Sequence, residues 1–147
     1  MELLKSLQIS AAGMTAERTR LTIVSANIAN ANATRSADGS GPYKRRLPVL
    51  ESETFDRVFT REAAKFGDQE VKVPLVVDVQ LDETPGATIY DPSHPDADEN
   101  GYVTMPNVNI VSEMVDMMHA SRAYEANLNA IDATRDMTLK SLEIGRG

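Results

Sequence analysis

Between Leu3 and Ala29, apolar residues recur every three or four positions with polar residues in the gaps, which is the spacing of an amphipathic helix. Leu4, Leu7, Ala11, Met14, Leu21 and Ile28 keep a heptad register, with Arg18 and Ser25 at the skipped positions. A second stripe, Ile9, Ala12, Ala16, Ile23 and Ala26, lies about 140° further around the helix. A helix with two apolar stripes needs two neighbours. Gly13 is an objection of about 1 kcal/mol in a helix interior. The helix should end near NIANANATRSADGSGP, where Asn, Ser, Gly and Pro favour turns.

The period then changes. Residues 43–90 read as strands: YKRRLPVLESETF is mixed, while EVKVPLVVDVQL alternates through Val71, Val73, Val77, Val79 and Leu81. Pro74 removes a ladder donor, so that strand belongs at an edge or breaks there. DETPGA reads as a turn and TIY as a short strand, which gives three or four strands in all.

From residue 110 to 143 the helical period returns, over about 50 Å if unbroken. Asn107 or Asn109 is placed to cap the helix, and Glu113 and Asp116 suit its positive first turns. Met114, Met117, Ser121, Tyr124, Leu128, Ile131, Thr138 and Leu142 form one stripe, with Met118 close by. Ala120, Ala123, Asn127, Ala130 and Thr134 form a stripe of small residues beside it, where another backbone can come close.

The expected fold is therefore α+β. Long N- and C-terminal helices pair as an antiparallel coiled coil, and a small β-rich insert lies between them. The divisions are 1–34 for the first helical region, 35–106 for the insert and loops, and 107–147 for the second helical region. Pattern alone leaves open whether the helices form an ordinary hairpin core packed on the insert or a coiled coil in an assembly. A pair of helices buries one seam, worth roughly 1.5–3 kcal/mol per large side chain, and each helix carries a second stripe. The short insert cannot easily cover two long helices, which favours other copies as the cover. Asn27, Asn30, Asn127 and Asn129 lie on or near the packed faces, and buried Asn fixes register at some cost in stability. Met114, Met117 and Met118 can adapt to non-equivalent neighbours.

Composition narrows the function classes. The net charge of −7 argues against nucleic acid as a partner, because phosphate binding needs a basic face. With no Cys in the chain, disulfides and thiolate chemistry are excluded. No apolar run approaches membrane-spanning length, and MELLKSLQISAAGM lacks the shape of a cleaved secretory signal. Aromatics make up only 5% of the residues, so a compact core would have few large rings to bury.

Little catalytic chemistry is visible. In YDPSHPDADENGYVTMPNVN, the residues Asp96, Asp98, Asn100 and Gly101 match the front of a calcium loop. The twelfth position, however, is Asn107 instead of a bidentate Glu, and Pro95 stands where an entering helix belongs. The alternative is a rigid turn whose carboxylates accept backbone N–H groups or face a basic neighbour. His94 and His119 lack zinc-type spacing. The adjacency of Ser93, His94 and Asp96 is not a triad, which needs convergence from separate elements. No nucleotide-binding or nucleophile-elbow motif occurs. No enzyme, cofactor, metal site or small-molecule substrate is expected. YKRR at 43–46 reads as a solvated strand edge or as an ion-pair partner for an acidic neighbour.

SANIANANAT at 25–34, followed by YKRR, resembles the N-terminal signature of the flagellar rod and hook axial proteins. NVNIVSEMVDMMHASRAYEANLNAIDATRDMTLKSLEIG at 107–145 resembles their C-terminal signature. Residues 90–109 resemble a segment that marks the proximal-rod members of that family. RSADGS is a departure, since the family runs more directly from the Asn-rich stretch to the basic one. The resemblance implies a structural subunit of the flagellar basal-body rod, a shaft that transmits motor torque to the hook. It also implies export through the flagellar type III apparatus, assembly in the periplasm, and packing against other copies and neighbouring proximal and distal rod proteins. The helix-packing faces would carry those contacts, through Leu4, Leu7, Ala11, Met14, Leu21, Asn27, Ile28, Asn30, Met114, Met117, Met118, Tyr124, Leu128, Ile131 and Leu142. The heptads and the missing signal also fit a secreted needle-type or adhesin subunit, and the acidic loop less readily fits a calcium module.

Overall fold

The computed structural model describes residues 2–36, 39, 41–54 and 72–145. In chain order these form α1 (Glu2–Ala29), β1 (Arg46–Thr54), β2 (Lys72–Leu81), β3 (Thr88–Tyr90), β4 (Tyr102–Thr104) and α2 (Ile110–Ile144). Two long terminal helices thus flank a small β region. Strands β1 and β2 make one two-stranded sheet, and β3 and β4 make another. Val71 and Phe55, which the sequence pattern assigns to strands, lie outside the described residues.

The ends of α2 have local causes. The side-chain oxygen of Asn109 accepts hydrogen bonds from the backbone N–H groups of Val111 at 3.0 Å and Ser112 at 3.2 Å. Asn109, not Asn107, is therefore the cap, and it satisfies donors that have no partner inside the helix. At the other end, the Gly145 N–H closes on the Ser141 carbonyl at 3.2 Å. Strand β2 runs unbroken through Pro74, in a two-stranded sheet where both strands are edge strands, the setting in which proline is tolerated.

The structure adds a strand that the sequence pattern does not show. Residues 102–104 pair antiparallel with β3 in the register Thr88 with Thr104, Ile89 with Val103 and Tyr90 with Tyr102. The Tyr90 and Tyr102 rings meet edge to face, 5.2 Å between centroids, a geometry that adds to apolar burial. The acidic loop thus becomes the connection of a hairpin. Asp91 accepts from the Ser93 N–H and hydroxyl, and Asp98 accepts from the N–H groups of Asn100 and Tyr102. Both are side-chain turns of the kind Asp stabilises. Gly101 closes the loop at φ +80°, and a Cβ there would sit 3.0 Å from both Pro92 and Tyr90.

The chain divides into two compact units. One is drawn from Met1–Thr19, Leu50–Val77 and Ala120–Gly147, the other from Arg20–Val49 and Asp78–His119. In the first unit the buried side chains are small: Ser10, Ala16, Ala120 and Thr134, with Val73. Here Gly13 has its reason. A Cβ at Gly13 would lie 2.8 Å from the Asn127 side-chain nitrogen, so the absence of a side chain lets the helices approach closely. In the second unit Ile23, Val24, Ala31, Tyr43 and Val103 are buried, as are the polar Asn27 and Glu113.

A Cβ at Gly86 would lie 1.8 Å from the Met105 carbonyl oxygen, which belongs to backbone. Gly86→Ala should therefore displace the root of the β3–β4 hairpin at a cost of about 1–3 kcal/mol, the usual range for overpacking. Thermal melting together with the cross-strand NOE between Ile89 and Val103 checks this. An unchanged melting curve with the NOE retained would contradict it.

Candidate functional site

The second unit is organised around one asparagine. Asn27 comes near the end of α1, in the SANIANANAT stretch, and is 1% exposed. Its side-chain nitrogen donates to the Arg46 carbonyl and to Glu113 Oε2, both at 2.9 Å. Its side-chain oxygen accepts from the Tyr43 hydroxyl at 2.9 Å and from the Arg46 N–H at 3.0 Å. An amide side chain has two donor hydrogens and two acceptor lone pairs, and all four are used. Because Asn27 grips the Arg46 backbone in both directions, it acts on the start of β1 as a neighbouring strand would.

Glu113 completes the knot. It stands one turn into α2 and is 1% exposed. Its Oε1 accepts from Arg45 Nε at 2.7 Å and Nη2 at 2.6 Å. Asp116, one turn further on, adds Arg20 at 3.4 Å and Arg45 at 3.8 Å. Burial pushes the Tyr43 hydroxyl above its ordinary pKa, the Arg46 guanidinium pulls it back and Glu113 pushes it up again. Tyr43 therefore stays protonated and able to donate to Asn27. The Arg46 guanidinium lies 5.7 Å from the centre of the Tyr43 ring.

The basic stretch is thus an ion-pair partner: Arg45 for Glu113 and Asp116, Lys44 for Glu83 at 2.6 Å. The Glu113 role escaped sequence reasoning, which took the residue for a helix-dipole carboxylate. The available signal was a cluster of Asn, Tyr and Arg ahead of the strand with one Glu on the inner face of α2.

The acidic loop has a similar outcome. Asp96 accepts from the Thr34 hydroxyl at 2.8 Å and pairs with Arg35. The Asp96 N–H donates to His94 Nδ1 at 3.1 Å. The Thr34 hydrogen bond and then the Arg35 guanidinium hold the Asp96 carboxyl below the usual carboxylate range. Internal donors occupy Asp96 and Asp98, and among the described residues no group of three or more His, Cys, Asp or Glu is placed to hold a metal.

The residues expected to form packing faces are distributed as follows. On α1, Asn27 is buried, Leu7, Met14, Leu21, Ile28 and Asn30 are half-buried, and Leu4 and Ala11 are exposed. On α2, Met117, Tyr124 and Ile131 are half-buried, while Met114, Met118, Leu128 and Leu142 are exposed, Leu142 by 63%. Most buried helix positions are small or polar, Ser10, Gly13, Ala16 and Asn27 on α1 and Glu113, Ala120 and Thr134 on α2, with Ile23 and Val24 of α1 as the larger apolar ones.

The two ends of the chain define its class. A family model for flagella basal body rod proteins matches residues 7–35, and one for the C-terminal region of flagellar basal body rod FlgEFG proteins matches residues 99–144. The chain is 39% identical to the flagellar basal-body rod protein FlgC of Bacillus subtilis, over 96% of this chain and 97% of that protein. It is 39% identical to the FlgC of Borreliella burgdorferi over the full length of both, and 36% identical to that of Salmonella typhimurium over 99% of this chain and all of that protein. The chain belongs to the FlgC family of flagellar basal-body rod proteins. The family is structural, not enzymatic, and its place is the rod of the flagellar basal body.

Two outcomes are expected here. Arg45→Met strands the Glu113 carboxylate in a buried place and should cost about 3–5 kcal/mol in urea unfolding. Lys44→Met, which removes an exposed pair, should stay within roughly 1 kcal/mol. Equal losses for the two would contradict the knot. In the loop, the Asp96 tether contributes fully above the unfolded carboxylate pKa and is lost as pH falls through the lower folded value. Thr34→Val should raise the Asp96 midpoint toward the ordinary carboxylate value in a carboxyl-carbon NMR titration, and an unmoved midpoint would refute the tether.

Proposed function

We propose that the chain assembles with other copies of itself and with neighbouring proximal and distal rod proteins into the helical shaft that carries motor torque to the hook. The observation that carries this reading is the exposure of large apolar side chains on both helices, among them Leu3, Leu4 and Ile9 on α1 and Val111, Met114, Met118, Leu128, Met137 and Leu142 on α2. Extended exposed apolar surface marks interaction sites. The helical regions 1–34 and 107–147 form the rod core as an antiparallel coiled coil, and 35–106 forms the insert. In support, the α2 partner falls from Asp116 to Glu113 as the α1 partner rises from Arg20 to Asn27. The stripe residues Leu4, Leu7, Ala11, Met14, Leu21 and Ile28, with Met114, Met117, Met118, Tyr124, Leu128, Ile131 and Leu142, meet other subunits. Asn27 and Asn30 set register. The subunit passes through the flagellar type III export apparatus and takes its place in the periplasmic part of the rod.

Leu128→Asp tests this. Leu128 is 43% exposed, so the free chain should lose no more than about 0.5 kcal/mol, as for a surface substitution. Cells carrying the variant should express the protein yet be non-motile, with no rod in isolated basal bodies. Normal swimming with intact rods would overturn the assignment of that face.

A further inference from the structure

The bonds that hold the root of the β1–β2 ribbon are the bonds that join the helices. Asn27 binds the Arg46 backbone on one side and Glu113 on the other. Arg45 gives its side chain to Glu113, while its carbonyl accepts the Asp82 N–H at the end of β2, at 2.8 Å. Asp82 in turn accepts from the Asn107 side chain at 3.2 Å, just ahead of α2. The path runs from α1 through both strands of the ribbon root to α2, and all of it lies within one compact unit.

We infer that Asn27 is a latch that makes helix pairing and seating of the ribbon root a single event. If α1 meets α2 in another register, Glu113 loses Asn27, and Asn27 cannot keep four partners. Among the described residues β1 has only β2 as a strand partner, so no other strand there replaces Asn27 if it swings away from the Arg46 N–H and carbonyl to seek a new partner. Buried polar groups left without partners cost about 1–3 kcal/mol each, so the partly latched states are the unfavourable ones. A two-stranded ribbon alone is at best marginally stable in water, so its root is ordered by the latch and not by the sheet. The consequence is a checkpoint: a subunit whose helices are out of register does not present its ribbon. This stands on bonds within the chain and holds whether or not the rod reading does.

Amide exchange on the full-length chain, followed through a titration with trimethylamine N-oxide, is the test. The osmolyte strengthens burial and so draws out order even where the free chain is loose. The Arg46 and Asp82 amides report the ribbon root, and the Glu113 amide, bonded to the Asn109 carbonyl, reports the first turn of α2 that carries the junction. The three should gain protection at one osmolyte midpoint. In Tyr43→Phe, which removes one bond to Asn27, that shared midpoint should rise, with exchange at all three sites faster by about tenfold for a loss near 1.4 kcal/mol. In Asn27→Asp, which turns a donor to Glu113 into a second carboxylate, all three should stay unprotected at osmolyte levels that order the parent. Separate midpoints for root and junction in the parent, or a Tyr43→Phe shift confined to Arg46 and Asp82, would overturn the latch.

Discussion

A buried amide with all four hydrogen-bonding positions used ties together everything around it. Asn27 joins the end of α1, the start of β1 and the first turn of α2 by bonds of 2.9–3.0 Å. Its burial is tolerable only because each partner is present, since an unmet buried polar group is costly. The same condition explains Glu113, whose charge is kept inside by the Arg45 fork and by Asn27. Paired charges of this kind add little net stability over apolar packing, but they strongly penalise a wrong arrangement.

That choice leaves the apolar side chains for other use. The buried positions of the helices are Gly13, Ala16 and Ala120, Ser10 and Thr134, the polar knot, and only Ile23 and Val24 among larger apolar residues. The leucines and methionines that would make a strong hairpin core stand half-buried or exposed. In a protein that functions alone, such a surface invites aggregation. In a rod subunit it is surface open to neighbouring subunits. The hairpin ahead of α2 fits the same economy: Asp91, Asp96 and Asp98 stiffen the turn and fasten it to Thr34 and Arg35.

The long helices were legible because their signals are local. The 3–4 spacing, the Asn109 cap and the closing Gly145 all act within a few residues, and the helix bounds follow them closely. The partners across the fold were not legible in the same way. Asn27 and Glu113 are 86 positions apart, and no periodicity links a capping-type glutamate to an asparagine on another helix. Gly13 read as a defect because its value lies in Asn127 opposite. Strand β4 was hidden among turn residues, since its three residues, Tyr102–Thr104, carry too little alternation to register. The sequence showed two stripes on α2 without saying which turns inward; in the structure Ala120 and Thr134 of the small-residue stripe are buried, while Met114, Leu128 and Leu142 of the large one are exposed.

In the assembled rod, the outward stripes should face neighbouring subunits and not solvent. The chain has no native Cys, so single substitutions Met114→Cys, Leu128→Cys and Leu142→Cys give clean probes for a water-soluble maleimide. Each should label readily in the purified chain and be protected in isolated basal bodies from motile cells. If Leu128→Cys and Leu142→Cys label as fast in basal bodies as in the free chain, the stripes face solvent in the rod and the central claim is wrong.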